Sequence, residues 1–358
     1  MKQLILSALA VAALPCLASA QNLINLAGND GVTTTSAVAN IFTINDVTAS
    51  PVSLVGVPTA TNADIRGIAF DPVTNQLCVA SEDADSIALF STTGTFNGFI
   101  TQVNTAENSG VDPYLVQVSD DGQIFTQSFG GAVERVGPAA AGTSLNIEVV
   151  NTSVVAGLCR GFDVGGSHTA GTAAIILGDP TNLYILTQSA AGSDTFTLQN
   201  TIPHGIVTVA LAADEPELLW IAPGATSFIV GAAAGTGQTT APMRKFNGTP
   251  GGTYTQDLSF APAGIFQTGI DVVPSRNAIV SGLRTSINGG SIRVILQDFT
   301  TGALLVNKTY TVSTGATGSG SAAIDPATGN VFAAGGNSVI GISGILSVPS
   351  SVETWDLY

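Results

Sequence analysis

A unit of just under fifty residues recurs along this chain, and no other feature limits its fold so tightly. Arg66-Gly67-Ile68-Ala69-Phe70-Asp71-Pro72 opens the first copy, which runs on as VTNQLCVAS and then DSIALFSTTG. The pattern is an apolar strand, a polar turn, a second apolar strand, a short acidic turn and a third strand. It returns as VQVSDDGQIFTQS from Val116, and as RGFDVGG from Arg160 with AAIILGD and LYILTQS behind it. Further copies read VALAADEPELLWIA from Val209, GIDVVPSRNAIVSGL from Gly269 and AAIDPATGNVFAAG from Ala322. Taking the turn residue after each first strand as an anchor gives Asp71, Ser119, Gly165, Ala212, Val273 and Asp325, at intervals of 48, 46, 47, 61 and 52.

The segments are short, rich in Val, Ile, Phe and Thr, and punctuated by Asp-Pro, Asn-Gly-type and Pro-Gly turns, which reads as strands rather than helices. No stretch after the leader has the three- and four-residue apolar spacing of a long helix. A four-stranded unit with two apolar faces cannot bury both alone. Stacking such units in a ring buries both faces and shelters the strand edges. The chain is therefore expected to be all-β, a single β-propeller. Six anchors count six blades, and the long interval together with the long N-terminal part leaves room for a seventh. The ring must close, and the N-terminal segments Ile41–Ile44 and Val52–Val55 are expected to complete the last blade, joining the chain ends.

The first twenty residues stand apart from this pattern. Lys2 precedes an apolar run of eleven residues from Leu4 to Leu14, and Ala18-Ser19-Ala20 offers the small residues that a signal peptidase reads. Residues 1–20 are expected to be a cleaved signal peptide and 21–358 the propeller, secreted outside the cell or into a periplasm. The run is shorter than the roughly 20 residues of a membrane span. Pro15 before Cys16 argues against lipid attachment. With 25 acidic against 10 basic residues and a formal charge of −15, the surface repels phosphates and anionic lipid, so neither nucleic acid nor a membrane is an expected partner. Asn151, Asn247 and Asn307 each open a glycosylation acceptor pattern. Beyond the leader two cysteines remain, Cys78 and Cys159. An oxidising compartment permits a disulfide between them, and two buried thiols are an equal reading.

GIAFDPVTNQLCVAS and AAIDPATGNVFAAG resemble the strand–turn–strand core of the NHL and YVTN families of β-propeller repeats. The resemblance implies one blade per repeat. It departs at Val164-Gly165-Gly166 and at Val273-Pro274-Ser275. Those families hold binding modules, surface-layer proteins and enzymes, so the resemblance implies a fold and leaves the activity open.

Catalytic signals are sparse. His168 and His204 are the two histidines, no Gly-x-Ser-x-Gly elbow surrounds any serine, and no zinc-ligand spacing occurs. His168, in a Gly-rich loop, reads as an exposed loop residue. Glu82, Asp83 and Asp85 could donate oxygens to Ca²⁺, but without EF-hand spacing they read first as a solvated acidic turn; no other cofactor is implied. Ser119-Asp120-Asp121-Gly122 reads as a tight turn. Trp220 reads as core, and Trp355 as part of a closing strand.

The positional signal is stronger. Residues just before each first strand sit at one mouth of the central channel, and these include Asp64, Arg66, Asp112, Tyr114, Arg160 and His204. Arg66 and Arg160 occupy matched places, and arginine offers a rigid donor fork for carboxylates and sulfates. Arg66, Tyr114, Arg160 and His204 are thus the candidate binding residues for a small anionic or polyhydroxylated ligand. The alternative is that each Arg pairs with a nearby Asp, such as Asp64 or Asp163, and ties blades together. The expected function is a secreted binding or interaction protein. The rivals are an extracellular propeller-type hydrolase, lyase or lactonase, and a structural component of a matrix or surface layer.

Overall fold

In the computed structural model, the described residues are 23–25, 34–38, 42–43, 65–81, 86–103, 113–128, 132–151, 154, 161–179, 182–203, 218–231, 243–262, 268–283, 291–312, 320–335 and 338–343. They form six antiparallel sheets arranged as a six-bladed β-propeller. The innermost strands, in ring order, are Ile65–Asp71, Pro113–Val118, Gly161–Gly165, Leu218–Ile221, Thr268–Val273 and Gly320–Ile324. No helix among the described residues is long and apolar enough to cross a membrane.

The apolar runs lack a polar face because each blade is buried on both sides. In blade six, Ala322, Ile324, Val331, Ala333, Ile340 and Ile342 pack against blade five. The alternating residues Ala323, Phe332, Ala334 and Val339 pack against Ile68, Phe70, Leu77 and Phe90 of blade one. The period of two along a strand sends successive side chains to opposite neighbours. Each of the six blade–blade boundaries has such a cluster, and the one between blades six and one closes the ring.

Closure uses the N-terminal part of the chain, as expected. Phe42–Thr43 pairs antiparallel with Ser338–Ser343, the third strand of blade six. Leu23–Asn25 pairs parallel with the other half of the same strand. Thr34–Val38 adds a parallel strand outside Leu304–Val312 of blade five, and Gly142–Leu145 does the same outside Phe96–Val103 of blade one. These additions cover outer edges that would otherwise present unpaired N–H and C=O groups. Residues 1–20, expected to be a signal peptide, Val52–Val55 and Trp355 lie outside the described residues.

Blade four corrects the repeat register. The run LLWI was expected to follow the first strand, with the anchor at Ala212. It is itself the innermost strand, Leu218–Ile221, paired with Ser227–Gly231. The anchor therefore moves to Ala222, and the long interval falls between blades three and four. The misreading has a physical source: VALAAD has the same apolar-then-acidic look as an inner strand and its turn. The turns themselves are repeated closely. Asn75 and Asn277 occupy matched places in the first turns of blades one and five, both with left-handed φ, 57° and 52°.

Candidate functional site

The inner strands run side by side around the axis, and their carboxyl ends line a half-open cavity of about 420 Å³ to which all six blades contribute. Two residues before each anchor, the inner strands read Ala69, Gln117, Asp163, Trp220, Asp271 and Ala323. The side chain at this position faces the next blade. An innermost strand has no partner on its channel side, so part of its backbone needs other hydrogen-bond partners. The previous blade supplies several. Gln117 Nε2 donates to the Phe162 carbonyl at 3.4 Å. Asp163 Oδ2 accepts the amide of Ile221 at 2.8 Å. Asp271 Oδ2 accepts the amide of Ile324 at 2.7 Å, while its Oδ1 accepts the amide of Val272.

Gln117, Asp163, Trp220 and Asp271 all line the cavity, with Ser119, Asp120 and Ser275. Trp220 is core as expected, meeting Phe299 of blade five in a T-shaped contact at 5.2 Å, and it also borders this cavity. No Lys, Arg or His is among its lining residues. Burial pushes the Asp163 carboxyl up to about 7, against the pull of the Ile221 amide, and the charge of Asp271 adds to the rise. Burial likewise raises Asp271, to about 6, although two backbone amides favour its charged form. Asp271 therefore ionises first, and its charge then opposes ionisation of Asp163. Burial and the charge of Asp121 also raise Asp120.

Asp163 thus ties blades, but through the amide of Ile221. Its importance, and that of Asp271, was missed in the sequence. The available signal was an Asp inside an otherwise apolar inner strand at the same place in GFDVG and GIDVV.

Of the candidates read from the sequence, two are described, and both lie away from this cavity. Arg66 and Tyr114 lie at the amino ends of the inner strands of blades one and two, the end opposite the cavity. Each falls where the register with the second strand shifts, between Ile65 and Gly67 and between Pro113 and Leu115. They therefore occupy matched bulges in adjacent blades. Arg160 and His204 lie outside the described residues, as do Asp64, Asp112 and the calcium candidates Glu82, Asp83 and Asp85. Among the described residues no group of three or more His, Cys, Asp or Glu could hold a metal. Cys78 is a free, buried thiol in the core between blades one and two, and Cys159 lies outside the described residues.

His168 is a correction. Expected to be exposed, it retains 5% of its surface. Its backbone amide donates to Asp121 Oδ1 at 2.9 Å, its ring lies beside Phe125, and its Nε2 sits 3.1 Å from Asp194 Oδ1. Asp194 also accepts two hydrogen bonds from Arg135, at 2.5 and 2.9 Å. The Gly-rich sequence around His168 gave no sign that the turn of blade two would hold this loop down. The turn itself is tight as expected, with Gly122 donating its amide to the Ser119 carbonyl and adopting a φ of 79°.

No family model matches the chain, and no curated protein matches it. Solved propeller structures do. The structure of U3-55K is 10% identical, with a TM-score of 0.51 over 80% of this chain and 97% of that one. The RRP9 WD40 repeats are 12% identical, with a TM-score of 0.49 over 78% and 94%. XC5397 from Xanthomonas campestris, described as a gluconolactonase, is 13% identical, with a TM-score of 0.47 over 78% and 85%. At these identities the likeness is one of fold.

Proposed function

We propose that this is a secreted binding protein that takes a small polyhydroxylated ligand at the carboxyl end of its central channel. Secretion rests on the leader at residues 1–20. The ligand class rests on one observation: a half-open cavity of about 420 Å³ bordered by an indole, an amide and two carboxyls, those of Trp220, Gln117, Asp163 and Asp271. A cavity of this size lies within the range of small-molecule sites. An aromatic ring offers an apolar face to a sugar-like ring. Planar amide and carboxyl groups can accept from and donate to hydroxyls on its edge.

Thermal unfolding against a panel of sugars and sugar alcohols tests the reading, because a ligand that binds only the native state raises the midpoint. The expected result is a shift with at least one polyol that is lost in Trp220→Ala. A shift that survives this change, or no shift across the panel, overturns it. In the second case a protein partner or a structural role becomes the better reading.

The carboxyl pair favours a second reading, an extracellular hydrolase, lyase or lactonase. Two carboxyls ionising at different pH can hold one proton between them, the condition for acid and base to coexist in one site. Turnover of a bound polyol ester or lactone that is lost in Asp163→Asn would establish it.

A further inference from the structure

The carboxyls of Asp163 and Asp271 are held against the cavity by the blades that follow them. Each has an oxygen fixed by an amide of the next inner strand, Ile221 for Asp163 and Ile324 for Asp271. Rotation away from the cavity would break that bond and strand a buried amide, so ionisation cannot be relieved by turning the group out to solvent. We propose that Asp163 and Asp271 form a charge switch for the channel cavity, which admits anionic polyols when both are protonated and favours cationic ones when both are ionised. The switch rests on the reading of the cavity as a polyol site.

The surroundings leave the pair without a counter-charge in the cavity. Blade two contributes Asp120, which is of the same sign, and blades one, four and six line the cavity with side chains that do not titrate. Asp71 and Asp325 turn away into their own turns. Asp71 accepts from Val73 and Thr74, and Asp325 from Ala327 and Thr328. On the rim, the Arg276 guanidinium reaches to blade six and donates to the carbonyls of Pro326 and Ala327. Protonation of the pair therefore changes the cavity charge by two with nothing opposite to mask it. Burial places the two steps at about 6 for Asp271 and about 7 for Asp163, so the change falls between pH 5 and pH 8.

Three six-carbon polyols of similar length, glucamine, sorbitol and gluconate, carry a fixed positive, zero and negative charge across that range. Calorimetric titration of the mature protein with each, at pH 5 and pH 8, reads the switch directly. Raising the pH should weaken gluconate and strengthen glucamine by about tenfold each, with sorbitol changed by less than about threefold. In Asp163→Asn/Asp271→Asn, which keeps one acceptor oxygen for the Ile221 and Ile324 amides and gives up the Val272 bond, the pH dependence should collapse. Binding that is independent of pH, or a dependence that survives in the double variant, overturns the switch and leaves the polyol site standing. If none of the three binds at either pH, the site reading fails and the switch with it. Should the double variant fail to fold, the wild-type protein still decides. The infrared carbonyl band of protonated carboxyls should fade between pH 5 and pH 8, and an unchanged band overturns the proposal.

Discussion

Asp120 and Asp121 are neighbours in one turn, yet they belong to two electrostatically opposite regions. Asp120 borders the channel cavity, where burial and the adjacent charge raise its carboxyl, as burial raises Asp163 and Asp271. Asp121 faces the corner between blades two and three. Burial acts against its charge there too, but Ser119, Thr169 and His168 donate to it, and the balance falls far below the usual carboxylate range. At the same corner the hydrogen bonds of Arg135 hold Asp194 low. Both regions join blades through carboxylates that accept backbone amides. The difference lies in donor number and counter-charge. Asp121 gathers amides from two successive residues plus a hydroxyl, and Asp194 has a guanidinium. Asp163 and Asp271 each accept backbone amides but no hydroxyl, and no cation is among the residues lining the cavity. A carboxyl placed between blades is thus a clasp when its donors outnumber the loss of water, and a stored strain when they do not.

The sharpest break between the regions should appear in stability as a function of pH. Asp163 and Asp271 have folded-state values above those of an unfolded chain. The stability they contribute is full below about pH 4 and is lost as pH rises through about 6 and 7. For Asp163, which retains 7% of its surface, a rise from 3.8 to about 7 corresponds to a loss on the order of 4 kcal/mol. Asp121 and Asp194 are lowered, so their contribution is present above about pH 4 and is lost as pH falls below it. The curve should therefore be a dome with its maximum near pH 4–5. Urea unfolding at pH 5 and pH 8 checks it. Wild type should be less stable at pH 8 by several kcal/mol, and Asp163→Asn/Asp271→Asn should lose most of that difference. Equal stability at the two pH values would mean that water reaches the channel carboxyls freely.

What could be read from the sequence divides along the same line. The blades were legible because strand periodicity and turn residues are local, and each repeat states them afresh in Val, Ile, Phe, Asp-Pro and Gly. The slip at blade four came from VALAAD and ELLWIA, two adjacent runs that both satisfy the local rule. Only pairing between blades decides which one lines the channel. The site was legible in part. Matched positions across the repeats single out Arg66 and Arg160 in the sequence, whereas Asp163 and Asp271, matched within the inner strands, line the cavity. Nothing local distinguishes an Asp that accepts an amide of the next blade from an Asp in solvent. His168 differs from its expectation for a similar reason, since its partners Asp121, Phe125 and Asp194 all lie far from it along the chain.

The second contrast is steric, and its effect should be smaller. At the channel end the blades approach so closely that a Cβ on Gly165 would stand 2.0 Å from the Ile221 carbonyl oxygen, beside the amide that Asp163 accepts. Gly165→Ala must push blade four away, at a cost of about 1–3 kcal/mol, and should also loosen the Asp163 bond. At the corner, Gly192 has open space around it and a left-handed φ of 69°. Gly192→Ala should cost about 1 kcal/mol, from backbone conformation alone. Unfolding measurements at pH 8 should therefore rank Gly165→Ala as the more damaging, and only that variant should alter the pH profile. The reverse ranking would show that the boundary between blades three and four yields more readily than its contacts imply.

The smallest effect tests the clasp itself. Arg135 and Asp194 are partly exposed, at 17% and 27% of their side-chain surfaces, so solvent screens the pair and its worth is about 1 kcal/mol. Asp194→Asn should cost about that amount at pH 7 and progressively less as pH falls below about 4, because the lowered Asp194 carboxyl contributes stability only above that range. Arg135→Gln should behave alike, because both changes remove one ion pair. In a double-mutant cycle with Asp194→Asn and Arg135→Gln, the coupling at pH 7 should account for most of either single loss. A third partner complicates the cycle: His168 Nε2 shares Asp194 Oδ1 with Arg135 Nε. If His168 carries the clasp in place of Arg135, the cycle will show little coupling and His168→Gln will reproduce the Asp194→Asn loss. That outcome would move the clasp from the Arg135 ion pair to the His168–Asp194 contact, and the corner would be joined within blade three and not between blades two and three.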